Sequence, residues 1–199
     1  TASKGACAAC AAQGPRIKDL FRGLKVRSLK GKQARPVTGL ITDSRRVVPG
    51  SLFFAIPGER ADGLTFVQDA LARGAVGVVA QEPCRLPPDV VAVQVEDVRK
   101  ALAQVAQRFY DYPDHALPVI GVTGTNGKTT VSTHTQYLLE CLGQKPVGLL
   151  GTIAYHLGQG RSLPSFKTTP ESVDVYALLD QMRRNECGQA VMEVSSHGL

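Results

Sequence analysis

GVTGTNGKTT, residues 121–130, decides how this 199-residue chain is read. It follows the apolar run LPVIGV (117–122) and leads into TTVSTHTQYLLECLG (129–143), which reads as a helix. A buried strand that turns through glycines into a helix is the arrangement that receives a phosphate. Gly124 and Gly127 permit tight turns and close approach of an anion, and successive N–H groups and the positive helix end then face it. Lys128 would reach the terminal phosphates as a point charge, and the Thr129 hydroxyl would ligate Mg²⁺. The longer P-loop pattern places another glycine where Val122 stands, so the segment fits a shorter G-x-x-G-K-T form. The competing reading is a structural glycine turn followed by an incidental Lys-Thr-Thr. The strand–loop–helix context favours nucleotide binding by Gly124, Thr125, Asn126, Gly127, Lys128, Thr129 and Thr130.

The flanking text supports an open α/β sheet. KPVGLLGTI (145–153) reads as a strand and ESVDVYALLDQMRRNE (171–186) as a helix burying Val175, Leu178, Leu179 and Met182. QAVMEV (189–194) reads as another buried strand. Glu193 stands near its C-terminal end, the edge at which such sheets place ligands, where a carboxylate can hold magnesium. His197 follows four residues on, either as a second metal ligand or as a hydrogen-bond donor.

Toward the N-terminus the same alternation continues. SLFFAI (51–56), AVGVVA (75–80) and VVAVQV (90–95) read as buried strands. TFVQDALARG (65–74) reads as a helix with Thr65 as cap and Gly74 as stop. Asp97 caps a second helix that carries Val98, Leu102, Val105 and Phe109 on one face. Strands alternating with helices predict a largely parallel sheet with right-handed crossovers. YPDHALP (112–118) marks the boundary between two blocks. The expected organisation is a disordered or non-native leader over 1–16, a small α/β domain over 17–114, and the first part of a P-loop-type, mostly parallel central domain over 115–199.

Composition narrows the function. No apolar run approaches the ~18 residues of a membrane span. The net charge of +6 is local: residues 1–35 hold nine Lys or Arg against Asp19 alone, and the rest of the chain is slightly acidic. A basic groove running through the folded body is therefore not indicated, and nucleic acid is not an expected partner. The five cysteines are scattered, and the Cys7–Cys10 pair has no second pair to complete a zinc site.

Four segments together resemble the Mur ligases: TDSRRVVPGSLFFAIPGERADG (42–63), TGTNGKTT (123–130), KTTP (167–170) and MEVSSHGL (192–199). EVSSHGL combined with the DSR, PG and DG elements is similar to the MurE type, whose members add meso-diaminopimelate or L-lysine to UDP-N-acetylmuramoyl-L-alanyl-D-glutamate. The resemblance implies that Thr42, Ser44, Glu59, Arg60 and Ala61 hold the UDP portion, with Glu59-Arg60 replacing the His-Gln pair of some relatives. It implies that Thr168, Thr169 and Ser195 contact the muramoyl-peptide. It also implies that Glu193 and His197, with Thr129, ligate Mg²⁺, and that Lys128, Glu193 and His197 are the catalytic set. ATP and Mg²⁺ are the implied cofactors; the UDP-muramoyl-dipeptide and a diamino acid are the implied partners. A cytoplasmic monomer is expected. The family's amino-acid-selecting C-terminal domain and a lysine that bridges to the second metal lie beyond Leu199. The piece is therefore expected to bind without turning over, and the central sheet to be left with an unpaired edge or exposed face. A binding module without catalysis and a folylpolyglutamate-type ligase are the alternatives.

Overall fold

The computed structural model describes residues 14–58, 62–143 and 145–195. The chain divides into two compact units, Thr1–Val105 and Ala106–Leu199. In the first, β1 (Val26–Lys30), β2 (Gly39–Ile41), β3 (Ser51–Phe54), β4 (Gly77–Ala80) and β5 (Val91–Val95) make one sheet in the order β1-β5-β4-β3-β2. β2 to β5 run parallel, and β1 closes the edge antiparallel to β5. Every residue of β3 and β4 is buried. That is the expected consequence of short apolar strands covered on both faces. Phe53 and Val78 pack with Val67 and Ala70 of α2 (Val67–Ala72).

α3 (Val98–Phe109) buries Val98, Leu102 and Val105 completely. Asp97 caps it by accepting the Lys100 N–H at 3.0 Å. Asp97→Ala is expected to cost about 1 kcal/mol of stability, read as a lower urea midpoint with unchanged slope, and Asp97→Asn to recover most of the loss.

Some local expectations change. Thr65 lies inside a 3₁₀ turn, Gly63–Phe66, and is not a helix cap. Asp62 supplies the cap instead, accepting the Leu64 N–H at 3.0 Å. The β4–β5 crossover carries no helix, because Pro83, Pro87 and Pro88 keep residues 81–90 irregular.

The second unit contains α4 (Pro113–Ala116), β6 (Val119–Thr123), α5 (Lys128–Leu142), β7 (Val147–Leu150), β8 (Ala154–His156), β9 (Ser162–Pro164), α6 (Ser172–Arg184) and β10 (Gln189–Val194). Its sheet runs β6-β10-β7-β8-β9. β6, β10 and β7 are parallel, while β8 and β9 form an antiparallel hairpin that the periodicity does not announce. Leu150, Tyr155, Leu178, Leu179, Met182 and Ala190 form the core under α6. Asp180, buried on α6, is held by Arg183 at 2.7 Å and Arg184 at 2.8 Å.

The far side is barer. Val119 and Ile120 of edge strand β6, and Val131, Leu138 and Leu142 of α5, are exposed. This topology places β10, the last strand among the described residues, directly beside β6, the strand that feeds the glycine loop at 124–127.

Candidate functional site

Glu193 lies opposite Val122 in the β10–β6 register, and Val194 opposite Thr123. The carboxylate therefore arrives at the sheet edge from which residues 124–127 depart. Gly127 takes φ 77° and enters α5 without a side-chain cap. Only glycine adopts that conformation freely, and an uncapped helix start leaves its first N–H groups for an anion. Lys128 Nζ donates to the Gly124 carbonyl at 2.7 Å and lies 3.4 Å from that of Thr125. Its ammonium thus spans the loop it belongs to. These carbonyl contacts are ones that phosphate oxygens would replace.

Three hydrogen bonds and one shared hydroxyl contact converge on the fully buried Glu193 side chain. Thr129 Oγ1 donates to Oε2 at 3.1 Å and Thr152 Oγ1 to the same oxygen at 2.9 Å. The Thr152 N–H reaches Oε1 at 3.1 Å, and Ser132 Oγ lies 3.3 Å from it, its single proton shared with the Thr129 carbonyl at 3.1 Å. Such a set satisfies both oxygens of an acceptor-only group, which is how a carboxylate is tolerated without solvent. Gly151 makes room for it: a Cβ there would stand 2.8 Å from Oε1.

The KTTP segment closes the ring. Thr152 has a single hydroxyl proton, committed to Glu193, so Thr168 is the donor in their 3.2 Å contact. Thr169 Oγ1 accepts the Ser195 N–H at 2.9 Å and donates to the Glu193 carbonyl at 3.0 Å. Ser195 Oγ completes the group, 3.2 Å from Thr169 Oγ1. Thr125 to Thr130, Thr152, Thr168, Glu193 and Ser195 line a depression of about 350 Å³.

Tyr155, fully buried, sets the position of this segment. Its hydroxyl donates to the Lys167 carbonyl at 2.5 Å and accepts the Lys167 N–H at 3.1 Å. Phe166 packs edge-on against its ring. Tyr155→Phe is expected to cost about 1–2 kcal/mol and to speed hydrogen exchange at Thr168 and Thr169. Unchanged exchange at both would mean that the hydroxyl does not hold the loop.

In the first unit, Thr42 and Ser44 flank Asp43 at the C-terminal end of β2. Arg45 donates to Asp43 through its backbone N–H and a forked guanidinium, holding that carboxyl below its ordinary range. The buried Ser44 hydroxyl, and then Arg73, do the same for Asp69. Both carboxyls therefore favour folding above the ordinary carboxyl range, and lose that contribution as pH falls through their depressed values.

Glu59, Arg60, Ala61 and His197, together with the leader and its Cys7–Cys10 pair, lie outside the described residues. Among the described residues no cluster of three or more His, Cys, Asp or Glu forms a metal cage. What the site offers a cation is Thr129 and Glu193, both hard oxygen donors.

Ser132 and Thr152 escape the sequence reading. The first was traceable, because Ser132 follows Thr129 by one helical turn. So was the second: Thr152 ends a strand at the same sheet edge as Glu193. No spacing marks Tyr155.

Residues 36–110 match the family model described as Mur ligase family, catalytic domain, and residues 122–199 match the Mur ligase middle domain. The chain is 49% identical over 165 residues to the UDP-N-acetylmuramoyl-L-alanyl-D-glutamate–2,6-diaminopimelate ligase of Solibacter usitatus, covering 82% of this chain and 33% of that protein. It is 43% identical to the ligase of the same name from Caldanaerobacter subterraneus, covering 92% of this chain and 38% of that protein. A solved structure of a ligase with that name superposes with TM-score 0.73 at 25% identity, over 94% of this chain and 37% of the other. The chain thus spans about a third of the length of the relatives it matches. Two Mur ligase domains follow one another along these residues, and the chain belongs to the Mur ligase family.

Proposed function

We propose that this chain is part of an ATP-dependent ligase of the MurE type, which joins 2,6-diaminopimelate or L-lysine to UDP-N-acetylmuramoyl-L-alanyl-D-glutamate in cell-wall precursor synthesis. The observation that carries the reading is Glu193, buried at the foot of the phosphate loop and hydrogen-bonded to Thr129. The relatives' names supply the substrates. Thr42, Ser44 and Glu59 to Ala61 would hold the UDP portion, and Thr168, Thr169 and Ser195 the muramoyl-peptide.

The chemistry must overcome the poor reactivity of a carboxylate, whose leaving group would be oxide. Transfer of the γ-phosphoryl group forms a bond to a D-glutamyl carboxylate oxygen and breaks the bond to ADP. The amine of the incoming amino acid then attacks the acyl carbon, the C–N bond forms, and inorganic phosphate leaves with its oxygen. The first step sets a carboxylate against a triphosphate, so positioned positive charge is the main requirement. Lys128 and the uncapped amides of α5 supply it from the protein. Magnesium, when bound, adds positive charge on the phosphates, and Thr129 and Glu193, with His197, are the residues that would hold it. Thr152 and Ser132 keep the Glu193 carboxylate turned toward Thr129. A diamino-acid ligase fed by ATP and a UDP-linked precursor works in the cytoplasm. Among the described residues no helix is long and apolar enough to cross a membrane.

The test is ligand protection. UDP-N-acetylmuramoyl-L-alanyl-D-glutamate is expected to raise the melting temperature in proportion to its saturation, with a folate of comparable charge giving no shift. Protection by the folate alone would replace this reading with a folylpolyglutamate-type ligase.

A further inference from the structure

Away from the phosphate loop, the C-terminal half of α5 borders a second cavity, of about 730 Å³ against about 350 Å³ for the first. Its lining includes Gln136, Tyr137 and Glu140 of α5, Lys145 just before β7, His156 of β8 and Arg161 of the hairpin turn.

The floor is polar and locked. Gln136, 6% exposed, donates through Nε2 to the Val147 carbonyl at 2.9 Å. With its amide nitrogen committed there, the atom of Gln136 facing His156 Nδ1 at 3.1 Å is the carbonyl oxygen. Nδ1 must therefore carry the proton in that contact. In the neutral ring this leaves Nε2 with its lone pair as the unused polar group. Glu140 is the one carboxylate of the lining, and its Oε1 already accepts the Val147 N–H at 3.3 Å.

The rim is cationic. Lys145 and Arg161 are exposed, and among the described residues neither has an acidic partner within 4 Å. Both start from fixed backbone. The Lys145 stem lies over Gly188, where an added Cβ would stand 3.1 Å from Lys145 Cβ. The Arg161 turn is closed by Leu157 N–H to the Arg161 carbonyl at 2.8 Å and by Arg161 N–H to the Gly158 carbonyl at 2.9 Å. Asn185 Nδ2 pins the Leu157 carbonyl at 2.8 Å. Two cations on fixed backbone with no acidic partner among the described residues, one engaged carboxylate and a polar floor describe a receptor for negative charge.

We propose that this cavity is a second binding site, for a small molecule with two or more phosphate or carboxylate groups gripped by Lys145 and Arg161 above His156. It is separate from the phosphate loop and does not depend on the ligase assignment.

The experiment is an NMR titration of the His156 ring nitrogens in the whole chain without metal, using pyrophosphate and citrate as probes. The free protein is expected to show the Nδ1–H tautomer. One of the two probes at millimolar concentration is expected to move the His156 signals, in wild type and equally in Lys128→Ala. The probe acting at lower concentration identifies phosphate or carboxylate as the preferred chemistry. Lys145→Ala combined with Arg161→Ala removes only exposed side chains, so the spectrum should otherwise persist while affinity falls about tenfold or more. Signals that ignore both probes would overturn the proposal. So would a response lost with Lys128→Ala, or one of equal affinity in the double variant.

Discussion

Lys128→Ala is expected to weaken binding of magnesium–ATP by roughly ten- to a hundredfold, the worth of one hydrogen-bonded charge on a phosphate. Stability should hardly move. Among the described residues the ammonium of half-buried Lys128 bonds only to carbonyls of its own loop, Gly124 and Thr125, in solvent-exposed contacts. Substitutions at such surface sites usually stay within about 0.5 kcal/mol. Calorimetric titration beside a denaturation curve separates the two quantities. Equal nucleotide affinity in both proteins would remove Lys128 from the binding machinery.

Glu193 is expected to give the opposite balance, and the choice of replacement decides it. Glu193→Ala removes the common acceptor of Thr129, Thr152 and Ser132 at a side chain that is itself fully buried, and leaves a void under Gly151. The Thr152 N–H then has no partner, and a loss of about 3–4 kcal/mol in the second unit should follow. Glu193→Gln keeps the volume. Its carbonyl oxygen can take the Oε1 position, facing the Thr152 N–H and Ser132, while its amide faces the rotatable hydroxyls of Thr129 and Thr152. That variant should fold with a loss of about 1 kcal/mol or less, yet lose the magnesium dependence of nucleotide binding. Denaturation of both variants, and nucleotide affinity with and without magnesium for the Gln variant, check the pair. Full magnesium dependence in Glu193→Gln would contradict a metal role for this carboxylate.

The parallel core was legible because its strands are buried on both faces and therefore spell continuous apolar runs, as in SLFF and GVVA. The loop was legible because glycine, lysine and threonine at fixed spacing have few other uses after a strand. Strands of three residues escaped: GLI, AYH and SLP are too short for any period to emerge, and β8 and β9 owe their pairing to neighbours in space. The support of the site escaped for a related reason. Tyr155 acts on a segment twelve residues away through its hydroxyl, and Gln136 works by meeting β7 and β8, contacts created by folding alone. α5 departs from the usual apolar-inward pattern. Its Ser132 and Gln136 are buried while Val131, Leu138 and Leu142 are exposed, so its polar face points inward, toward Glu193 and Val147.

The central claim is that the loop at 124–130 and the carboxylate of Glu193 form a single receptor for a metal-bound nucleotide. Mn²⁺–ADP, whose paramagnetism broadens only nearby amide signals, tests it in one spectrum. Selective loss of the Gly127, Lys128, Thr129, Thr152 and Val194 signals is expected, as the residues that border the loop and Glu193. Broadening confined to exposed acidic side chains elsewhere, with those five signals intact, would contradict it.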